Sequence, residues 1–198
     1  MSNTSSLSRG QKSPVTLVPI LIFVAVLVAL SGAAADTPLQ PVSQQDAGDF
    51  MPDATVREIM ESMMAPAAEA VWDSVAYIST REFTIDSKPE TDEDWQKLRW
   101  HAVTMAEAAN ALLIPGRRVG PPGAVSDDPE HELAPDEIQA MIDNNRSVWI
   151  GFVHAVHAQA MEAIRIIDAK DVEGLSVVGG SIDAACEGCH LQFWYPLK

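Results

Sequence analysis

The chain has 198 residues and a formal net charge of −15, from 28 acidic and 13 basic side chains. So acidic a surface repels polyanions, which excludes nucleic acid and anionic membrane surfaces as partners and favours proteins with basic surfaces. The length allows one domain and an N-terminal address segment. The chain contains only two cysteines.

The N-terminal segment has the features of an export signal. Residues 15–30 form an apolar run after a polar stretch, and Ala33 and Ala35 then fit the small-x-small rule for signal cleavage. We therefore predict a signal peptide over residues 1–35 and a periplasmic location. The alternative is an uncleaved anchor in the inner membrane, because residues 15–35 are just long enough to span a bilayer.

A linker and a helical domain are predicted next. Residues 36–52 are rich in Gln, Pro and Asp and indicate a flexible linker, so the folded domain is expected over residues 53–198. No useful length of this domain alternates with a period of two, whereas apolar residues recur at helical spacing. The prediction is all-α, an antiparallel up-down-up-down four-helix bundle.

The first helix is predicted from Ala54 to Thr80, with Asp53 as its N-cap. Pro66 inside this range predicts a kink or the loss of one backbone hydrogen bond. Met64 stands at the edge of the apolar stripe. The stripe itself has heptad-like spacing and consists of Val56, Met60, Met63, Ala67, Ala70, Ser74 and Ile78.

The second helix is predicted from Thr91 to Ile114. Thr91 and Asp94 form a capping pair at its start, and Pro115-Gly116 ends it. A loop rich in proline and acidic residues follows over residues 116–134. A loop of this length in a small domain is either functional or disordered.

Two more helices complete the predicted bundle. The third is expected from Pro135 to Asp168, because proline suits the first position of a helix. The fourth is expected from Asp171 to Tyr195, with Gly179-Gly180 as a weak spot or a point of close approach. Its apolar face consists of Val172, Leu175, Val178, Ile182 and Ala185.

The most specific pattern is Cys186-Glu187-Gly188-Cys189-His190, near the C-terminus. Cys-x-x-Cys-His is the attachment sequence for c-type haem. Positions i and i+3 share one face of a helix, so Cys186 and Cys189 can each bind a vinyl group of one porphyrin. His190 then ligates the iron. The motif predicts one covalent haem c, and it agrees with export because bacteria attach this haem outside the cytoplasm.

Other uses of such a cysteine pair have a different context. A thioredoxin-like redox pair follows a strand and opens a helix, and a structural zinc site normally needs two such pairs. A disulfide between Cys186 and Cys189 would be strained and would leave His190 without a role.

The exported chain, the four helices and the single C-terminal Cys-x-x-Cys-His resemble the cytochrome c′ family, including its low-spin relatives. The resemblance covers about residues 54–196. It implies an antiparallel bundle with one covalent haem, His190 as the proximal ligand and often a homodimer. Members with a first-helix methionine as the second iron ligand carry electrons, whereas members with that position empty bind gases such as nitric oxide.

One departure from the family bears on this choice. Phe193 matches the aromatic residue that follows the haem motif, but Trp194 stands where cytochrome c′ proper has an arginine. That arginine lies over the proximal haem face in the gas binders. Its absence counts against gas binding.

A methionine is predicted as the second iron ligand. In an up-down-up-down bundle the end of helix four lies beside the start of helix one, so Met60, Met63 and Met64 lie near the height of His190. A thioether paired with histidine suits electron transfer, although methionines on an apolar face also serve as core filler. Arg57-Glu58-Ile59-Met60 resembles the first-helix segment of the low-spin members. We predict Met60, then Met63, with an open position as the alternative.

Other polar residues are weaker candidates for the haem site. His154 and His157 are expected to lie too far along a long third helix to reach the iron, and His131 lies in the loop. Arg117 and Arg118 would either pair with the haem carboxylates or remain solvated loop cations.

The sequence therefore predicts an exported electron carrier with one haem ligated by His190 and a methionine, and with redox proteins as partners. The alternative is a five-coordinate haem protein that binds nitric oxide or other small gases. A peroxidase-like enzyme would need a distal His or Arg acid–base group, and the predicted topology supplies none, so no catalytic role is expected.

Overall fold

A computed structural model of the protein describes residues 49–79, 81–82 and 84–196. The predicted signal peptide and most of the predicted linker lie outside the described residues. Most of the described residues lie in helices and few lie in strands, which confirms a mainly helical fold. No helix within the described ranges is long and apolar enough to cross a membrane.

The helices pack against one another around a common core. In chain order the elements are α1 (Val56–Ile59), a π-helical turn (Met60–Met64), α2 (Ala65–Trp72), β1 (Ala76–Ser79), β2 (Thr84–Ser87), α3 (Asp92–Leu112), α4 (Pro135–Asn144), α5 (Arg146–Asp168) and α6 (Val172–Phe193). Helix α2 contacts α3 and α6, and α5 also contacts α3 and α6. These four helices therefore form a closed ring of contacts.

The first helix begins at a capping box rather than at Asp53. The Thr55 hydroxyl accepts a hydrogen bond from the Glu58 backbone N–H at 3.2 Å, and the Glu58 carboxylate accepts one from the Thr55 N–H at 2.8 Å. Thr-x-x-Glu satisfies two otherwise unpaired donors reciprocally. The prediction of Asp53 as the N-cap was therefore wrong by two residues.

The π-helical turn lies directly before Pro66, where the sequence predicts a disturbance. Ala65 donates its backbone N–H to the carbonyl of Met60, five residues earlier. Proline has no N–H, and in a regular α-helix its ring would clash with the carbonyl of Ser62. The π-helical turn has room for the proline ring because it contains about one residue more than an α-helical turn. The buried positions that follow are therefore shifted by about one residue along the sequence.

A β-hairpin begins within the C-terminal end of the predicted first helix. Helix α2 ends at Trp72, and β1 pairs with β2 in antiparallel register from Ala76↔Ser87 to Ser79↔Thr84. Residues 75–80 read Val-Ala-Tyr-Ile-Ser-Thr and are rich in β-branched and aromatic side chains, which favour extended backbone. The predicted helix to Thr80 was wrong for this reason.

The predicted third helix is two helices that meet at Asn145. This residue has φ −128° and ψ 41°, and its side-chain amide donates to the Met141 carbonyl at 3.0 Å. Asparagine competes with the helical backbone in this way. Arg146 then donates to the Leu113 carbonyl at 2.7 Å, which holds the start of α5 against the end of α3.

The loop between α3 and α4 is anchored to the rest of the domain. The carbonyls of Arg118 and Val119 accept the backbone N–H groups of Val56 and Arg57 at 2.8 and 3.2 Å. Val119 is buried, and its N–H donates to the Gln139 side chain at 2.9 Å. The loop therefore satisfies the first N–H groups of α1 and fixes the position of that helix.

Helix α6 approaches α2 closely at one of its two adjacent glycines. The Trp72 indole N–H donates to the Gly179 carbonyl at 3.0 Å, and a Cβ on Gly179 would lie 3.3 Å from the Trp72 ring. No atom lies within 4 Å of a Cβ placed on Gly180. Gly179 is therefore the point of close approach that the sequence analysis anticipated.

This contrast predicts opposite effects of the same substitution. Gly180→Ala is expected to raise the free energy of unfolding by about 0.5–1 kcal/mol, because alanine restricts the unfolded chain and favours a helix. Gly179→Ala is expected to be less stable than Gly180→Ala by about 1 kcal/mol or more, because its methyl group crowds the hydrogen-bonded Trp72 ring. Urea unfolding of both variants measures the difference, and equal stabilities would contradict the close contact.

Candidate functional site

An apolar cavity lies between the start of α1, the end of α3, the first turns of α5 and the last turns of α6. It contains about 470 Å³ of space free of protein atoms, part of it open to solvent. Its lining residues are Val56, Met60, Met64, Leu112, Trp149, Val153, Val156, Cys186, Cys189, His190, Phe193 and Trp194.

Helix α6 brings the whole predicted attachment motif to this cavity. Cys186 and Cys189 are one turn apart and both line it, and His190 lines it as well. Cys186 is half-buried and Cys189 is 8% exposed. Both are free thiols. Phe193, one turn beyond Cys189, is 1% exposed and closes the wall below the motif.

The two thiols are held in their protonated form. Burial raises the pKa of Cys186 to about 11 and that of Cys189 to about 12. A redox-active pair at a helix N-terminus has a lowered pKa instead, and here the pair lies near the C-terminal end of α6. The environment therefore argues against a thioredoxin-like function.

His190 occupies the border between the cavity and a second, open depression. Burial lowers the pKa of His190, although Glu187 and Glu132 act in the other direction. The ring is consequently neutral at neutral pH, which is the form whose nitrogen lone pair binds a metal.

Two methionines, one turn apart, line the cavity. Met60 is half-buried and also borders the open depression, and Met64 is 3% exposed. Met63, the second choice of the sequence analysis, packs against the core but does not line the cavity. The reason is the π-helical turn, whose extra residue places Met64 instead of Met63 on the inner face.

The walls from α5 were not predicted. Trp149, Val153 and Val156 line the cavity because the break at Asn145 starts a new helix beside it. His154 and His157 are the sequence neighbours of Val153 and Val156, so they lie at a similar height along α5. Neither histidine lines the cavity.

The open depression beside His190 is strongly acidic. Its lining residues are Arg57, Met60, Glu61, Asp127, Asp128, Glu132, His190, Trp194 and Tyr195. Arg57 is its only cation, and it pairs with Glu61 at 2.8 Å and with Asp127. The anchored loop supplies three of the four carboxylates. We call this surface the acidic depression.

The ends of the loop and of α6 are joined around this surface. The Leu133 N–H donates to the Trp194 carbonyl at 2.9 Å. The Tyr195 hydroxyl donates to the Glu187 carboxylate at 2.6 Å. Burial and this hydrogen bond raise the pKa of Tyr195 to about 12. The loop therefore borders the site as part of its structure.

The other predicted polar candidates lie elsewhere. Arg117 donates to the carbonyls of Ala111 and Ala54, and Arg118 pairs with Asp136 at 3.1 Å. Neither arginine lines the cavity. His131 is exposed and pairs with Asp128 at 2.9 Å.

Comparison of the chain with protein-family models, with curated proteins and with solved structures found no match in any of the three. In the part of the chain that the structure describes, no group of three or more His, Cys, Asp and Glu side chains is arranged to hold a metal ion.

The raised thiol pKa values predict slow alkylation of the folded, haem-free protein. A thiol with a pKa of about 11 is almost entirely protonated at pH 8, whereas an unfolded cysteine with a pKa of about 8.5 is about one quarter thiolate. Iodoacetamide is therefore expected to react at least about 100-fold more slowly with the folded chain than with the same chain in denaturant. The folded rate should rise with pH up to about 11, and equal rates at pH 8 would contradict a preformed, closed cavity.

Proposed function

We propose that the protein is an exported c-type cytochrome that carries single electrons through one haem, covalently attached at Cys186 and Cys189. The observation that carries this proposal is the convergence of both thiols and the His190 imidazole on one apolar cavity. The donor set suits the group, because two reduced thiols and a neutral imidazole are what covalent attachment and axial ligation require.

The roles of the residues follow from their positions. Cys186 and Cys189 present their sulfur atoms to the cavity from one face of α6, and His190 presents its imidazole from the next position. The walls around the thiols are apolar, and the protonated thiols remain reduced until they are used. Haem, when bound, supplies an iron that changes its oxidation state by one electron.

Met60 is the proposed second axial ligand. It lines both the cavity and the acidic depression, as His190 does, and a thioether opposite histidine raises the reduction potential. Met64 also lines the cavity and takes the place of Met63 as second choice. Two thioethers in the cavity favour electron transfer over gas binding, which requires an open position at the iron.

The finer architecture belongs to the same proposal. The ring of contacts among α2, α3, α5 and α6 supports an antiparallel four-helix bundle of the cytochrome c′ type, with α1 and the π-helical turn extending α2. Haem at the C-terminal end of the last helix is what that resemblance implies. The same resemblance also implies a homodimer.

A basic redox protein is the proposed partner in the periplasm. The acidic depression carries four carboxylates and one paired guanidinium beside His190, and the whole chain has a formal charge of −15. Complementary charge accelerates the encounter of two proteins and orients the collision. The depression would therefore guide a basic surface to the haem side of the molecule.

The visible spectrum tests the proposal directly. The holoprotein from an exporting, haem-attaching host is expected to show sharp, separate α and β bands on reduction, and no change with carbon monoxide. Broad high-spin bands that shift with carbon monoxide would instead support the five-coordinate, gas-binding alternative.

Substitution of single methionines identifies the second ligand. Met60→Ala is expected to abolish the weak far-red band of an iron–thioether bond in the oxidised protein and to lower the reduction potential. Met63→Ala is the matched control, because Met63 contacts the core but not the cavity. If only Met64→Ala loses the band, the ligand is Met64, one turn after Met60. If Met60→Ala and Met64→Ala both retain the band, neither methionine of the cavity is the ligand.

Salt and charge substitutions test the partner surface. The bimolecular rate of electron transfer with a small basic redox protein is expected to fall as ionic strength rises. Asp128→Asn with Glu132→Gln should reduce the rate at low salt by about threefold to tenfold, because two charges of the depression are removed. Glu69→Gln, an exposed change on α2 outside the depression, is the control, and equal effects of the two variants would contradict docking there.

A further inference from the structure

One of the residues that line the cavity, Trp149, has a buried polar group without a partner. Among the described residues, the indole Nε1 of Trp149 is the only buried side-chain nitrogen or oxygen without a hydrogen bond. Trp149 is 3% exposed and lines the same cavity as Cys186, Cys189 and His190. A buried N–H that stays unpaired destabilises the fold, so its presence calls for an explanation.

The packing of Trp149 does not provide that explanation. Its ring meets Phe193 edge to face at a centroid distance of 5.4 Å, a contact that a phenyl ring would make as well. The neighbouring walls from α5 are Val153 and Val156, which offer no acceptor side chain. The indole N–H would therefore find a hydrogen-bond partner only in a ligand that carries an acceptor.

The cations near the site are already committed. Arg57 in the acidic depression is paired with Glu61 and Asp127. Arg117 is bound to backbone carbonyls, and Arg118 is paired with Asp136. Among the buried donors of the residues that line the cavity, the Trp149 indole therefore remains the one that a carboxylate can use without displacing a partner.

We propose that Trp149 is a positioning residue that donates its indole N–H to a carboxylate of the bound haem. This inference rests on the proposed function. The hydrogen bond would be charge-assisted, and it would stabilise the ionised form of that carboxylate in surroundings that otherwise favour the neutral acid. It would also fix one edge of the haem against the first turn of α5.

The test compares the holoprotein of Trp149→Phe with wild type. The phenyl ring retains the contact with Phe193 and removes only the donor. Infrared difference spectra with isotope-labelled haem carboxylates are expected to show a shift of one carboxylate band. The reduction potential should change with pH around the pKa of this carboxylate. In the variant this pKa should be higher by about one pH unit, which is a tenfold loss in acidity.

Trp95→Phe is the matched control. Trp95 is also a buried indole, at 7% exposure, but it lies on α3 away from the cavity lining. Its variant should leave the carboxylate band and the inflection unchanged. Equal spectra and equal inflections in wild type and Trp149→Phe would overturn the inference and would assign the indole to packing against Phe193 alone.

A second measurement applies if Trp149→Phe does not fold or does not retain haem. In the reduced wild-type holoprotein, the Trp149 indole proton should exchange slowly with solvent, and its resonance should follow the titration of the haem carboxylate. A resonance that does not respond would overturn the inference. If the wild-type protein carries no covalent haem, both the proposed function and the proposed role of Trp149 are wrong. If it carries haem but lacks these signatures, only the proposed role of Trp149 is wrong.

Discussion

The spacing of Cys186 and Cys189 on α6 is the constraint on which the rest of the site depends. Three residues along a helix place both thiols on one face, and His190 follows at the next position. The neighbouring helices must then leave an apolar cavity opposite this face. Val56 of α1, Leu112 of α3 and Trp149 of α5 meet there and leave an apolar cavity at this end of the domain.

Two local irregularities shape that cavity. Pro66 is accommodated by the π-helical turn, and the turn brings Met60 and Met64 to the inner wall. Asn145 ends α4 and lets α5 begin beside the cavity, so that three α5 side chains reach it. Both irregularities interrupt regular helical hydrogen bonding, and both lie beside the apolar cavity.

The sequence predicted those features that depend on local patterns. The Thr91–Asp94 capping box, the start of α4 at Pro135 and the extent of α6 agree with the structure, because caps and long periodic stripes are local signals. The position of Cys186, Cys189 and His190 in one cavity follows equally from their spacing.

The features that sequence reasoning missed depend on tertiary structure or on competing signals. The stripe to Ile78 continued at helical spacing, although its β-branched residues favoured the hairpin. Met64 lines the cavity in place of Met63 because of the π-helical turn, which the sequence pattern did not reveal. The unpaired Trp149 indole has no sequence signature, since only the packing of α5 against α6 shows that its N–H lacks an acceptor.

The anchored loop and the acidic depression link the fold to the proposed electron transfer. Backbone hydrogen bonds hold the loop on α1, and its carboxylates stand beside His190. A carrier needs one side where its redox centre is close to the surface and where charge selects the partner. The apolar cavity and the acidic depression share Met60, His190 and Trp194, and with the proposed haem bound they would form such a side.

We propose that Cys186 and Cys189 hold one haem covalently, and the intact mass of the protein tests this. The protein is purified from an exporting, haem-attaching host and then extracted with acidified organic solvent. We expect a polypeptide that retains the mass of one haem after extraction, and a Cys186→Ala/Cys189→Ala variant that retains none. A wild-type protein with the mass of the polypeptide alone would contradict it.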